Sequence, residues 1–106
     1  MDARPQHIFF LEDGNVMEFL DELENKDPDS YDAIVRRLDR VEEGNFGDYG
    51  AIGSVLELRF LKTGPGYRIY FGRDGDIVVL LRTGTKNTQD GDYRIAEKLW
   101  EQYKNG

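Results

Sequence analysis

Two arginines, tyrosines and a lysine in the second half of this 106-residue chain have the types and spacing for phosphate chemistry. Arg59 closes Glu57-Leu58-Arg59. Arg68 and Tyr70 lie within Gly64-Pro65-Gly66-Tyr67-Arg68-Ile69-Tyr70-Phe71, and Lys86 opens Lys86-Asn87-Thr88-Gln89. A guanidinium keeps its charge and presents a planar fork of donors. Arginines projecting from rigid strands can therefore hold a phosphate whose charge changes during reaction. A tyrosine beside them can stack on a base or pass a proton. A lysine in a polar loop can bring an ammonium to the sheet edge. The same residues have plainer uses: Arg59 and Arg68 can pair with Glu57, Tyr70 can be an ordinary cross-strand aromatic, and Lys86 can belong to a turn entering a helix. Spacing alone leaves both open.

Strands must position these side chains. Leu56, Leu58 and Phe60 alternate with Glu57, Arg59 and Leu61, and Tyr67, Ile69 and Phe71 alternate with Arg68 and Tyr70. Gly64-Pro65-Gly66 is a turn between them, which brings Arg59 and Arg68 near one another. Asp74-Gly75 is a hairpin signal, and Ile77–Leu81 is apolar on both faces, as for a central, covered strand. This parity puts Arg59, Arg68 and Tyr70 on a polar face, with Leu58, Ile69 and Val79 buried. Upstream, Gln6–Leu11 reads as a first strand. Asn15 caps a helix carrying Val16, Phe19, Leu20 and Leu23. Asp27-Pro28 opens a second helix with an apolar stripe from Tyr31 to Val41 and a solvated face that includes Arg36, Arg37 and Arg40, and Gly44 ends it. Asn45–Gly53 is glycine-rich and loop-like. Asp90 caps a last helix with Ile95, Ala96, Leu99, Trp100 and Tyr103 on one stripe. The order predicts an α+β domain over residues 1–106, with an antiparallel sheet, two N-terminal helices packed together and a C-terminal helix on the sheet.

Composition narrows the classes. The chain has no cysteine, so there is no disulfide framework and no thiolate zinc site. No stretch approaches the roughly 18 apolar residues of a membrane span, and Met1–Pro5 lacks the apolar core of a signal peptide. These features predict a cytoplasmic protein with no membrane partner. His7 is the lone histidine, without metal-ligand spacing, and no Walker loop, dinucleotide fingerprint or Ser–His–Asp system is present. No cofactor or metal is expected. The net charge of -7 is unevenly spread. Residues 1–50 hold 5 Lys/Arg and 14 Asp/Glu, and residues 51–106 hold 9 and 7. The acidity therefore sits away from the arginine-bearing strands.

From Val41 to Ala96 the chain resembles the RelE/ParE toxin superfamily, in its phage-derived, HigB-like addiction module killer branch. The matching pieces are Glu42–Asp48, Glu57-Leu58-Arg59, Gly64–Phe71 and Lys86–Gln89, followed by Asp92 and Ala96. The resemblance implies a RelE-like fold and a toxin neutralised by a cognate helix-turn-helix antitoxin in a hetero-oligomer. For the RNase members it implies metal-independent cleavage of mRNA on the translating ribosome. Arg68 falls at the family's central phosphate-binding arginine, Arg59 at the basic residue of the preceding strand, and Lys86 at the basic residue after the last strand. Tyr70 or Tyr93 fills the tyrosine role. One fold in this superfamily serves both mRNA cleavage and gyrase poisoning, and an inactive relative can persist as a binding partner. A ParE-like gyrase-binding toxin and a catalytically weak binding protein are thus the alternatives.

Overall fold

Apolar alternation in the second half of the chain builds the centre of a mixed sheet. The computed structural model describes residues 4–106. In chain order the elements are β1 (His7–Phe10), α1 (Val16–Lys26), α2 (Pro28–Glu42), β2 (Tyr49–Ile52), β3 (Val55–Phe60), β4 (Tyr67–Asp74), β5 (Ile77–Thr85), a 3₁₀ turn (Lys86–Thr88) and α3 (Gln89–Asn105). The strand order is β1-β5-β4-β3-β2. The fold is α+β. The wholly antiparallel sheet expected from the sequence is corrected at one edge. β2 to β5 pair antiparallel, while β1 runs parallel to β5, with His7 opposite Ile77 and Phe10 opposite Leu80. β1 is joined to the rest through two helices rather than a hairpin, and such a crossover permits parallel pairing.

β2 occupies part of the stretch expected to be a loop. Gly50 hides the strand signal and leaves room for the Arg59 guanidinium lying across it, which a Cβ there would have to displace. Arg37 is not on a solvated face as expected. Its guanidinium donates to the carbonyls of Phe46 (2.8 Å), Arg59 (3.1 Å) and Asp48, tying the approach to β2 onto β3. Burial lowers its pKa from the usual arginine range.

The sheet is covered on both faces. Leu58, Ile69, Phe71, Val78 and Leu80 meet Val16, Leu20, Ile34 and Leu38 of α1 and α2. Val55, Tyr70, Val79 and Leu81 meet Ala96 and Trp100 of α3. Leu58, Ile69 and Val79 are fully buried, in agreement with the strand parity. Arg68 and Tyr70 lie on the opposite side from Leu58 and Ile69, but that side is no open polar face. α3 covers it, leaving Arg68 buried and Tyr70 without exposure. Gly72 admits the covering helix, since a Cβ there would run into the Trp100 ring.

Three local expectations resolve differently. Asp27 caps α2 as expected, accepting from Ser30 N at 3.2 Å, with Pro28 at the first position. Asn15 precedes α1 but makes no side-chain cap. Its amide instead grips β5, accepting from Thr83 N at 2.8 Å and donating to Thr83 O at 3.2 Å. Asp90 is not the cap of α3, which begins at Gln89 after the 3₁₀ turn. The β4–β5 loop is Gly75-Asp76, with Gly75 alone at positive φ (61°), the pattern of a II′ turn. Asn15→Ala is expected to cost about 1–3 kcal/mol, because a buried backbone pair loses both partners. Urea unfolding should show a lower midpoint with an unchanged slope.

Candidate functional site

Strand register assembles the site on the α3 side of the sheet. Arg59 stands directly opposite Arg68 and Glu57 opposite Tyr70, while Arg82 on β5 stands opposite Tyr70 on its other flank. Two guanidiniums so placed repel unless an anion lies between them, and the Glu57 carboxylate supplies it. Its Oε1 accepts from Arg59 Nε at 3.0 Å and from Gln89 Nε2 at 3.2 Å. Its Oε2 accepts from Gln89 Nε2 at 3.0 Å and stands 3.8 Å from Arg68 Nε. Arg59 Nη1 also meets Asp48 Oδ1 at 3.0 Å. The Glu57 hydrogen bond raises the Arg59 guanidinium further above its ordinary range, against a smaller opposing effect of burial. Arg68 Nη1 donates to the carbonyls of Gly66 (3.1 Å) and Tyr67 (3.2 Å), which fixes its plane.

A β-bulge brings the third arginine in. Tyr70 pairs with Arg82 and Phe71 with Leu80, so Leu81 is the surplus residue of β5. Leu81 packs in the α3-side cluster, and Arg82 on the same side meets Asp92 of α3, Nε to Oδ1, at 3.2 Å. Thr88 Oγ1 donates to the other oxygen of Asp92. Gly84, opposite Arg68, is the floor on which Asp92 rests, because a Cβ there would collide with Asp92 Oδ2. Three arginines thus meet three acids: Glu57, Asp48 and Asp92.

Among the described residues, two donors in this network have no protein acceptor: Arg68 Nε, at ion-pair but not hydrogen-bond distance from Glu57, and the Tyr70 hydroxyl. Both belong to β4 and face the same side. Burial is the main reason the Tyr70 phenol is pushed well above its usual range; Glu57 and Asp92 add to this, and Arg68 opposes it. The folded state therefore holds the Tyr70 proton where the unfolded chain releases it. Stability contributed by the neutral phenol is complete below about pH 10 and falls as pH rises above it. Tyr70→Phe is expected to leave neutral-pH stability unchanged or slightly higher, since no partner is lost, and to flatten this alkaline decline. Thermal unfolding across pH 8–11 measures it.

Lys86 lies exposed at the end of the sheet. Its backbone N–H bonds Gly66 O at 2.9 Å, and its Cβ and Arg68 Nη1 flank Gly66. Lys86 and Arg68 therefore flank the same turn, with Arg59 opposite Arg68, while Tyr70 lies buried further along β4 beneath α3. Tyr93 sits apart. Its ring lies beside Gly53 in the β2–β3 turn, with the Arg94 guanidinium 5.5 Å from its centre, and it packs against the Val55–Trp100 cluster. Among the described residues no hydrogen bond joins it to the arginines. Arg82 was not expected at the site, and Gln89 and Asp92 only as parts of the motif. Asp92 and Gln89 fall one helical turn apart on α3, a spacing readable in sequence once the helix start is known. Among the described residues, no group of three or more His, Asp or Glu side chains is placed to hold a metal ion.

No family model matches the chain, and no solved structure matches it. An uncharacterized protein of Haemophilus influenzae is 41% identical over 68 residues, which is 62% of this chain and 68% of that protein. The chain belongs to the same family as this H. influenzae protein.

Proposed function

We propose that this chain is a toxin of the RelE/ParE type that cleaves mRNA on the ribosome without a metal ion. The observation that supports the reading is the juxtaposition of Arg59 and Arg68 on paired strands, with Arg68 Nε lacking an acceptor and Lys86 exposed at the same corner. In the reaction, a ribose 2′-OH gives up its proton to solvent water and attacks the adjacent phosphorus. The O2′–P bond forms and the P–O5′ bond breaks, leaving a 2′,3′-cyclic phosphate and a 5′-OH. Arg68 and Arg59 stabilise the charge that builds on the non-bridging oxygens, and Lys86 donates a proton to the departing O5′. For a phosphate to reach both arginines, the Glu57 carboxylate must give up part of its hold on Arg59. A helix-turn-helix antitoxin is the proposed partner and supplies operator binding, since residues 1–50 are too acidic to neutralise DNA phosphates.

Mapping mRNA 5′ ends after induction tests the reaction. New 5′-OH ends within translated regions support it, and intact mRNA in growth-arrested cells rejects it. The pairing of each arginine with a carboxylate favours a second reading, a relative that binds its partner without cleaving RNA. Complex formation without any new RNA ends would favour that reading.

A further inference from the structure

We propose that the free edge of β1, with the groove beside it, docks an extended segment of a partner protein in which apolar residues alternate with lysine or arginine. The proposal stands apart from the reaction above, because it concerns the opposite edge of the sheet from β2 and β3.

The backbone of β1 is half used. The N–H groups of His7 and Leu11 point at β5, bonding Asp76 O at 2.7 Å and Leu80 O at 3.1 Å. Gln6 N–H points the other way and is met by Glu42 O at the end of α2, at 2.7 Å. Strand alternation turns the N–H groups of Ile8 and Phe10 outward as well, and among the described residues no acceptor meets them. Proteins commonly blunt such an edge with lysine, proline or a bulge. Ile8-Phe9-Phe10 has none of these, and Phe9 is 46% exposed.

Beside this edge lies a groove of about 330 Å³ walled by Ile8, Phe10, Met17, Tyr31, Val35 and Leu38, with Met17 52% exposed. Its charged lining is wholly acidic: Asp21, Asp39 and Glu42, all exposed. Strand addition supplies main-chain hydrogen bonds, and the groove receives alternate side chains. The acidic rim selects a basic partner. A second copy of this chain would bring the same three acids against themselves and is disfavoured.

The test uses the full chain and two ten-residue probes, one alternating valine with lysine and one alternating valine with glutamate. The lysine peptide is expected to slow amide exchange at Ile8 and Phe10 and to bind at least about tenfold more tightly than the glutamate peptide, with the margin shrinking in high salt. The triple variant Asp21→Lys, Asp39→Lys, Glu42→Lys changes exposed positions only and should reverse the preference. Equal binding of both peptides, protection confined to another face, or sedimentation showing two copies joined through β1 would each overturn the proposal.

Discussion

Replacing Glu57 with alanine is expected to cost about 3–5 kcal/mol of stability, the loss typical of a buried ion pair stripped of one partner. Glu57 is 4% exposed and receives Arg59, Gln89 and the charge of Arg68. Arg59 can turn to Asp48 and solvent when the carboxylate is removed. Arg68 cannot, because it is buried and its remaining protein partners are the carbonyls of Gly66 and Tyr67. Like-charge repulsion from Arg59, directly opposite, then acts without an anion between them. Glu57→Gln keeps a carbonyl acceptor of the same size and should lose less. Denaturant titration of the three proteins gives the comparison. A loss below about 1 kcal/mol for the alanine variant would mean that the two carbonyls suffice for Arg68.

For the RNA cleavage proposed above, Arg68→Ala is expected to behave in the opposite way, sparing the fold while lowering the rate by about 10²–10³-fold, the usual cost of removing one donor from a charge-stabilising site. Glu57 retains Arg59 and Gln89 in this variant, so no charge is left buried alone. Arg68→Lys should recover little activity, because an ammonium lacks the planar fork that bridges two phosphate oxygens. Rates of 5′-OH end formation, measured beside the unfolding midpoint, separate the two effects. A folded Arg68→Ala protein that still arrests growth and cuts mRNA would remove this arginine from the reaction.

Strand parity was readable wherever apolar and polar residues alternate. It separated Leu58 and Ile69 from Arg59 and Arg68, because a half-buried strand has a period of two, while turn residues located the β3–β4 hairpin and, one residue early, the β4–β5 hairpin. Three features were hidden for physical reasons. β2 is a glycine-bearing edge strand whose sequence, Tyr49-Gly50-Ala51-Ile52, has no polar–apolar alternation to read. The covering of Arg68 and Tyr70 by α3 is a tertiary fact, since a face with Arg59 and Arg68 reads as solvated until their counter-charges are found in Glu57 and Asp48. The bulge at Leu81 inverts the parity of β5 partway along. A regular strand would put Arg82 with Leu80, facing α1 and α2, whereas it lies with Val79, facing α3. Asn15 misled in another way, because an asparagine amide suits a helix cap and a backbone clamp equally well.

The surplus residue in β5 also governs how this family can change length. Removing the codon for Leu81 would restore regular alternation, leaving Leu80 on one face and Arg82 on the other, at the cost of one apolar side chain beneath α3. Removing a codon from β3 has a different consequence. Loss of Leu58, for example, would make Glu57 and Arg59 adjacent and send one of them through the sheet to the opposite face. Single-residue gaps among relatives are therefore expected to collect at position 81 and to avoid β3, which makes residue 81 the place where drift in gene length leaves the site in frame.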